Sequence, residues 1–271
     1  MNETYISAAH APPEPHLPAG WRLMAFETLD STNSALKRLV EQGAELSEGV
    51  LMWANTQTAG RGRAGRAWES PPGNVYVSYL IAGPARKADA PQIGFLAARA
   101  VADTILELPR HNAAPPKVTC KWPNDVLVEG EKVCGILPEM ITGPASESQS
   151  QREWIVLGIG INLTTVELAN PNYPVTALAN HHIDTTAAHV LTVLSRFLAA
   201  GLTLWREKGF EPIREAWLES GPVPGSPISV NTGKAPMSGT FAGLDADGAL
   251  LLDTSGGRSR ILAGDVLFGD T

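Results

Sequence analysis

The sequence predicts an α+β protein that consists of one large domain and a small C-terminal β-barrel. Three observations predict this fold class. Apolar residues recur at helical spacing in four segments, short strand-like runs between turn residues favour antiparallel pairing over crossover units, and a Pro/Gly-rich boundary precedes an end made of short strands. The length of 271 residues also suits one large domain with a smaller one.

Amphipathic helices are predicted over 33–40, about 91–108, 187–208 and 210–218. The first has capping oxygens at its start, from Ser31, Thr32 and Asn33, and Gly43 can end it. Strands are predicted over 50–54, 75–81, 118–122, 126–128, 133–137 and 154–161. Because turn residues separate several of these strands closely, we expect antiparallel pairing.

A domain boundary is predicted at Gly221-Pro222-Val223-Pro224-Gly225. Beyond it, short strands are predicted over 228–230, 239–244, 249–252 and 258–262, with hairpin turns at Asp247-Gly248 and Gly256-Gly257. A piece of about fifty residues is too small to be strongly stable alone, so we expect it to lean on the larger domain. The predicted organisation is a flexible Pro-rich tail over 1–20, the large domain over 21–220 and the barrel over 221–271.

Composition and charge argue against several classes of protein. The net charge of −7 disfavours a general nucleic-acid surface, because phosphate binding depends on clustered Lys and Arg. The N-terminus has no signal-peptide pattern, and we find no run of ~20 continuous apolar residues that could form a membrane helix. Cys120 and Cys134 lack metal-ligand spacing and are expected to be reduced and buried. We therefore expect a cytoplasmic protein.

The stretch from Gly60 to Arg66 interleaves glycine with arginine and is the first candidate binding site. Its glycines match the G-x-G-x-x-G pattern of dinucleotide-binding proteins, but that pattern requires a helix directly after it, and the segment 69–73, with two prolines, cannot open one. Glycines let a backbone approach a ligand, and guanidinium groups pair with phosphate or carboxylate. A solvated basic turn is the alternative. Gln57 and Trp68 on either side disfavour it, because such groups suggest a pocket.

A second candidate site runs from Lys121 to Asp125 and is followed by Lys132. Pro123 and Asn124 turn the chain between two predicted strands. A capping role in the turn explains Asn124, but it does not explain why two lysines and an acid flank one hairpin. An acid beside lysines suits a magnesium–nucleotide site, in which the metal takes oxygen ligands and the lysines offset phosphate charge.

Together these segments resemble the biotin protein ligases, in that family's order and spacing, over about residues 20–271. The motifs that carry the resemblance are Asp30-Ser31-Thr32-Asn33, Gln57 with Gly60 to Trp68, Lys121 to Asp125 with Lys132 and Gly135, Gly158-Ile159-Gly160-Ile161-Asn162-Leu163, Gly239 to Gly248, and Gly264-Asp265. The resemblance implies a mixed-sheet catalytic domain of the biotin/lipoate ligase type over 21–220 and a small SH3-like C-terminal barrel.

The resemblance also implies two reactions and their partners. ATP, with magnesium, activates biotin as biotinyl-5′-AMP, and biotin then passes to a lysine on the biotin carboxyl carrier domain of a carboxylase. The first reaction brings an anion against a polyanion, so it needs fixed positive charge. Homodimers occur among such ligases, and neither a membrane nor nucleic acid is expected as a partner.

By the same resemblance, the site residues fall into three groups. The catalytic residues are Lys132, Asp125 and Arg63. The biotin-binding residues are Ser31, Thr32, Asn33, Gln57, Gly60, Arg61, Gly62, Arg63, Lys132 and Gly135. The nucleotide-binding residues are Arg61, Arg63, Arg66, Lys121, Asn124, Asp125 and Asn162. Lys132 is expected to bridge the biotin carboxylate and the α-phosphate. Asp125 is the candidate magnesium ligand, or it orients the incoming lysine. Trp68 and Trp122 are left out of these groups, because a place in the core would also explain two aromatic residues at these positions.

Two other functions stay open. A lipoate or octanoate ligase or transferase resembles the same catalytic fold, although the arginine-rich loop and the Lys121 to Asp125 segment favour biotin. A non-catalytic biotin-binding module is the other, and the presence of Lys132 and Asp125 speaks against it. Some relatives carry an N-terminal DNA-binding domain. Here the motif that starts at Asp30 begins too early for one, so we expect a ligase without operator binding.

Overall fold

The fold is known from a computed structural model for residues 4–5, 14–84, 86–110, 114–144, 151–164, 174–233 and 235–268. Over these ranges, an eight-stranded sheet forms the main layer of the large domain. Its strands are β1 (Thr4–Tyr5), β2 (Arg22–Leu29), β3 (Val50–Gln57), β4 (Val75–Ala82), β5 (Val118–Lys121), β6 (Asp125–Val128), β7 (Glu131–Thr142) and β8 (Glu153–Ile161). Their spatial order is β1-β2-β3-β4-β8-β7-β6-β5.

The sheet is mixed because one of its neighbouring pairs is parallel. Strands β2 and β3 run in the same direction, and the other neighbours are antiparallel. A parallel connection needs a crossover, and helix α1 (Thr32–Glu41) supplies it between β2 and β3. The hydroxyl of Ser31 caps α1 by accepting a hydrogen bond from the backbone N–H of Ser34 at 3.4 Å. The mixed sheet that the resemblance implies is confirmed, and so is the antiparallel pairing expected for the short strands between 118 and 161.

The remaining helices cover the face of the sheet opposite to α1. They are α2 (Gln92–Glu107), α3 (Ala187–Lys208) and α4 (Glu211–Glu219), and all lie where helical spacing predicts them. Two apolar clusters mark the two faces. Leu36 of α1 packs in a cluster with Met52, and Val101 of α2 packs in the larger cluster with Leu157. The large domain therefore has α1 on one face and a three-helix layer on the other.

Helix α3 is long and apolar enough, by length and composition, to cross a membrane, with a mean hydropathy of 1.5 over an 18-residue window. Of that window, 44% is buried inside the protein. Leu191, Leu194, Leu198 and Leu202 lie in the main core, and the helix packs against α2 and α4. This packing accounts for its apolar composition.

The C-terminal barrel is a five-stranded antiparallel sheet within the described residues. Its strands are β9 (Pro227–Asn231), β10 (Met237–Leu244), β11 (Leu250–Thr254), β12 (Gly257–Ile261) and β13 (Asp265–Phe268). Phe241 and Leu252 belong to the same apolar core as Phe95 of α2. The indole N–H of Trp122 also donates to the Gly248 carbonyl at 3.1 Å. The barrel therefore leans on the large domain as expected, and the α+β class is confirmed.

Candidate active site

The floor of the candidate site is the part of the sheet that α1 leaves uncovered. Side chains on one face recur at every second residue of a strand. On and just beyond β8, that face carries Trp154 and Val156 beneath α1, and then Gly158, Gly160 and Asn162. The change from large apolar side chains to glycine leaves a cleft of about 210 Å³. The floor from Gly158 to Asn162 is roughly 13 Å long at the usual rise of a strand.

Lys132 reaches this cleft because the pairing of β6 with β7 contains a bulge. Asp125 pairs with Gly135, whereas Leu127, two residues further on, pairs with Lys132, so Val133 is the extra residue. Simple alternation from Gly135 would place Val133 on the cleft face and turn Lys132 to the opposite face. The bulge instead brings Lys132 Nζ to 2.7 Å from the carboxylate of Asp125.

A buried charge cluster therefore lies at one end of the cleft. Lys121 stands opposite Asp125 in the β5–β6 hairpin, and its Nζ lies 3.8 Å from that carboxylate. The side chains of Lys121, Lys132 and Asp125 are 6%, 11% and 10% exposed. Burial lowers the pKa of Lys121, and the charge of Asp125 opposes that shift. Two ammonium groups share one carboxylate, so the cluster favours an anionic ligand.

The inner end of the cleft, near Gly158, is lined by hydrogen-bonding side chains. Gln57 Oε1 accepts a hydrogen bond from the backbone N–H of Thr32 at 2.8 Å and lies 3.2 Å from the Thr32 hydroxyl. The hydroxyl of Ser78 lies 2.8 Å from that of Thr32 and 2.5 Å from Asn33 Oδ1. Asn33 occupies the space above Gly158, where an added Cβ would clash with it. These groups form a fixed polar end on an otherwise smooth floor.

Glu139 gathers three donors beside this inner end. Its carboxylate accepts hydrogen bonds from Asn33 Nδ2 at 2.8 Å, Lys37 Nζ at 3.1 Å and Arg61 Nη2 at 3.0 Å. Burial alone would raise the pKa of Glu139, but the hydrogen bonds from Asn33 and Lys37 and the charge of Arg61 hold it below its usual value. The ionised carboxylate therefore connects α1 to the residues that cover the cleft.

The glycine–arginine loop (residues 60–68) covers the cleft, and two glycines allow its shape. The backbone N–H of Trp68 donates to the carbonyl of Gly60 at 3.0 Å, which closes the loop at its base. A Cβ at Gly60 would clash with the Trp68 carbonyl. At the tip, Ala64 and Gly65 have φ angles of 54° and 74°, in the region that glycine tolerates best.

Two arginines of this loop contact the hairpin turn and the barrel. Arg63 Nη1 donates to Asn124 Oδ1 at 3.0 Å, and Arg66 Nη2 pairs with Asp265 at 3.1 Å. Asn124 is itself held in place, because its Nδ2 donates to the carbonyl of Ile136 at 2.7 Å. The loop thus rests on the large domain through Asn124 and on the barrel through Asp265.

Trp68 lies over the middle of the floor. An added Cβ at either Gly135 or Gly160 would lie 2.8 Å from its ring, so both glycines make room for it. Lys132 Nζ lies 5.2 Å from the ring centroid, within the range of a cation–π contact. Trp68 Nε1 has no hydrogen-bond partner among the described residues. Of the two tryptophans for which a core role was the alternative, Trp68 lines the cleft and Trp122 is buried in the core.

The structure brings nearly all of the predicted site residues together. Those that line the cleft are Ser31, Thr32, Asn33, Gln57, Arg61, Gly62, Arg63, Arg66, Asn124, Asp125, Lys132, Gly135 and Asn162. Gly60 and Lys121 do not line it: Gly60 shapes the base of the loop, and Lys121 is buried beside Asp125. The assignment of each residue to biotin, nucleotide or metal stays a prediction.

Four contributors were not assigned to the site from the sequence, namely Trp68, Ser78, Glu139 and Asp265, although Trp68 flanks the candidate loop and Asp265 belongs to a motif of the resemblance. A signal existed for Glu139, since alternation along β7 from Gly135 places it on the cleft face. Ser78 and Asp265 contribute through contacts that only the tertiary fold creates.

Among the described residues, no group of three or more His, Cys, Asp or Glu side chains could hold a metal ion. Cys120 and Cys134 are free and buried, as predicted. Burial raises the pKa of Cys120 to about 12 and also raises that of Cys134, so neither thiol is an activated nucleophile.

Comparison with known proteins identifies the family. Residues 25–162 match the biotin/lipoate A/B protein ligase family, and residues 225–269 match the biotin protein ligase C terminal domain. A biotin--[acetyl-CoA-carboxylase] ligase from Paracoccus denitrificans is 37% identical over 248 residues, which cover 89% of this chain and 98% of that relative. The chain belongs to the biotin protein ligase family. The resemblance seen in the sequence is confirmed.

Other members of the biotin protein ligase family agree with this assignment. The bifunctional ligase/repressor BirA of Bacillus subtilis is 32% identical, over 92% of this chain and 75% of that protein. The solved structure of biotin protein ligase from Aquifex aeolicus, in complex with biotin and ATP, has a TM-score of 0.71 and 27% identity. It covers 92% of this chain and 99% of that chain. The likeness therefore includes the barrel as well as the large domain.

Proposed function

We propose that this protein uses ATP to activate biotin as its adenylate and then transfers biotin to a lysine of a biotin carboxyl carrier domain. The observation that carries the proposal is one cleft that joins a polar inner end to the buried cluster around Lys132, beneath an arginine-rich loop. Its relatives support the proposal, since one is named a biotin--[acetyl-CoA-carboxylase] ligase and another was solved in complex with biotin and ATP.

The two ends of the cleft correspond to the two ends of biotin. The ureido ring has a carbonyl and N–H groups, and Ser31, Thr32 and Gln57 offer partners for them at the inner end. The acyl chain then lies over the glycine floor and beneath Trp68, with its carboxylate toward Lys132. A buried polar group left unpaired costs about 1–3 kcal/mol. Because the dithiolane ring of lipoate has neither a carbonyl nor an N–H, this end favours biotin over lipoate.

In the first reaction, a carboxylate oxygen of biotin bonds to the α-phosphorus of ATP, and the bond from that phosphorus to the pyrophosphate oxygen breaks. Both reactants are anions, so fixed positive charge has to lie between them. We place Lys132 there, because its ammonium lies at the end of the cleft where the carboxylate arrives. Arg63 and Arg66 exchange their present partners for phosphate oxygens. Lys121, Asn124 and Asn162 complete the nucleotide side.

In the second reaction, the neutral amine of the acceptor lysine bonds to the carbonyl carbon of the adenylate. The bond from that carbon to the AMP oxygen breaks, and the amine loses a proton. The charge of Lys132 stabilises the departing phosphate. Asp125 keeps Lys132 in position, and orientation of the incoming lysine is a second role that we propose for it.

Magnesium enters this scheme with ATP, as the magnesium–nucleotide complex. The ion commonly takes one or two carboxylates together with substrate phosphates, and when bound it offsets phosphate charge. Asp125 is a carboxylate in the cleft that fits this donor set, but its oxygens face Lys121 and Lys132. A magnesium contact by Asp125 therefore requires one of these lysines to turn to the phosphates instead.

The cellular setting is also a proposal. Two buried free thiols are compatible with a reducing compartment, and we propose the cytoplasm. The acidic balance of the chain supports the absence of a nucleic-acid partner. A homodimer is proposed from the family, and light scattering of the purified protein tests it.

The decisive assay is isotope exchange between ATP and pyrophosphate with purified protein, run with biotin, with lipoate and with neither acid. We expect exchange with biotin, and mass spectrometry should then find one biotinylated lysine on a carrier domain. Exchange that depends on lipoate would overturn the choice of substrate. Biotin binding without exchange would show a binding module in place of an enzyme.

A variant pair separates the role of Lys132 from general effects of removing a lysine. Lys132→Ala should lower exchange by more than about a hundredfold, which corresponds to loss of charge stabilisation worth about 2.7 kcal/mol. Its circular dichroism spectrum should stay unchanged, because Asp125 still has Lys121 nearby. Lys208→Ala, at the exposed end of α3, is the control and should exchange normally.

A further inference from the structure

Glu139 is a carboxylate that lies next to the cleft but does not line it. It lies on β7, and its side chain is 21% exposed. Three donors from two separate segments converge on it, Asn33 and Lys37 from α1 and Arg61 from the glycine–arginine loop. Charge-assisted hydrogen bonds of this kind are roughly twice as strong as neutral ones.

The same carboxylate begins a connected series of hydrogen bonds beneath the loop. Asn33 donates to Glu139, so its Oδ1 is the atom that faces the hydroxyl of Ser78 at 2.5 Å. Ser78 in turn lies 2.8 Å from Thr32, which contacts Gln57.

The far end of the series returns to the loop. Gln57 Nε2 donates to the hydroxyl of Ser70 at 2.9 Å, and that hydroxyl donates to the carbonyl of Trp68 at 3.0 Å. Residues near both ends of the loop, Arg61 and Trp68, are therefore tied to one polar network.

We propose that Glu139 is a positioning residue that holds the glycine–arginine loop over the inner end of the cleft. It acts through Arg61, which anchors the loop, and through Asn33, which orients the polar end. The guanidinium of Arg61 is thereby committed to the protein, and the phosphate contacts fall to Arg63 and Arg66.

The order of the loop can be measured by its cleavage with trypsin, because trypsin cleaves after arginine and the loop contains Arg61, Arg63 and Arg66. The test compares tryptic cleavage within the loop in the wild type and in Glu139→Gln, both without ligand, and mass spectrometry identifies the sites that are cut. We expect the variant to be cleaved there about tenfold faster, since cleavage follows the population of the open loop. Cleavage at the rate of the wild type would overturn the proposal.

A matched control is available on the neighbouring strand. Glu153 of β8 also pairs with a lysine, Lys87 at 2.9 Å, and its side chain is 27% exposed. Glu153→Gln removes a similar carboxylate three residue pairs along the β7–β8 ladder, on the other face of the sheet by alternation, and should leave loop cleavage unchanged. Equal acceleration in both variants would mean general loosening of the fold and would also overturn the proposal.

A double-variant cycle shows whether faster cleavage of Glu139→Gln comes from the lost contact with Arg61 or from misfolding. Arg61→Gln removes the other partner, and cleavage after Arg63 and Arg66 should rise to a similar level. If the two side chains act through each other, the double variant should be cleaved no faster than either single variant. Additive effects would contradict the proposal.

A second readout depends on the proposed function. In biotin-dependent exchange, Glu139→Gln should raise the KM for biotin about tenfold while kcat changes little, because the lost contact orders the pocket and does not touch reacting atoms. A fall in kcat with an unchanged KM would contradict a positioning role. The proteolysis uses ligand-free protein, so it tests the loop even if the biotin reaction were not the right one.

Discussion

The substitution Asp125→Asn tests whether a single carboxylate stabilises the buried cluster in the cleft. Asp125→Asn keeps the size of the side chain and removes its charge. Lys121 and Lys132 then lie beside an uncharged amide, with side chains that are 6% and 11% exposed. Because water cannot replace the lost charge at such sites, we expect a clear loss of stability in addition to a loss of activity.

The size of the loss follows from the geometry. Removing one partner of a buried ion pair costs about 3–5 kcal/mol. We expect the lower end of this range, because Lys121 lies 3.8 Å from the carboxylate, beyond hydrogen-bond distance, and because burial already lowers its pKa, so that it sheds a proton more easily. For a chain of this size, about 3 kcal/mol corresponds to a fall of roughly 5 °C in Tm.

Thermal unfolding followed by circular dichroism measures this effect at neutral pH. The wild type should have the highest Tm, Lys132→Ala a lower one and Asp125→Asn the lowest, since Lys132→Ala leaves one lysine with the carboxylate. Adding Lys121→Met to Asp125→Asn should restore part of the stability by removing one of the buried charges. The reasoning is refuted if Asp125→Asn melts within about 2 °C of the wild type, or if the double variant is less stable than the single one.

Three further predictions concern the loop, the floor and the charge cluster. Arg63→Gly removes the hydrogen bond to Asn124, so the adenylate should leave the cleft about tenfold faster. A chase experiment with labelled biotin measures the rate of release, and an unchanged rate would contradict the role of this contact. Gly160→Ala puts a methyl group 2.8 Å from the Trp68 ring, and the KM for biotin should rise by about tenfold as the ring moves; an unaltered KM in the exchange assay would contradict that contact. Burial lowers the pKa of Lys121, so the folded protein holds that proton less tightly than the unfolded chain and stability should rise as the pH approaches the ordinary lysine value of about 10. Urea unfolding across this range should show the rise in the wild type and a smaller one in Lys121→Met, and equal rises would sink the assignment.

The elements that sequence predicts well are those with a strong local pattern. Helix α3 begins and ends where its apolar spacing places it, because propensity and burial agree over its length. Strands β1, β2 and β13 were not predicted, and β1 lies within the segment 1–20 that was expected to be a flexible tail. The apolar residues of β2 run together without alternation, and β13 is short and is defined by its pairing with β9. Because β2 was not predicted, its parallel pairing with β3 could not be predicted from the local sequence pattern either.

The candidate site divides in the same way. Lys132 and Asp125 could be named from a contiguous motif, but the bulge that brings Lys132 to the cleft could not, since plain alternation selects Val133. Contacts across long stretches of chain were also invisible. Arg61 meets Glu139 over 78 residues of sequence, and Arg66 meets Asp265 over 199. Such pairs arise from packing, which a single sequence does not encode locally.

The glycine floor has a consequence for redesign of this cleft toward biotin analogues. Strand β8 is bonded to β4 on one side and to β7 on the other, so its peptide groups already have partners. A ligand that lies over Gly158 and Gly160 therefore contacts a surface that constrains its shape but offers it no hydrogen bond. Discrimination among analogues has to come from the walls, and an engineer who wants a new label should alter Thr32, Gln57 or Trp68 and leave the two glycines as they are.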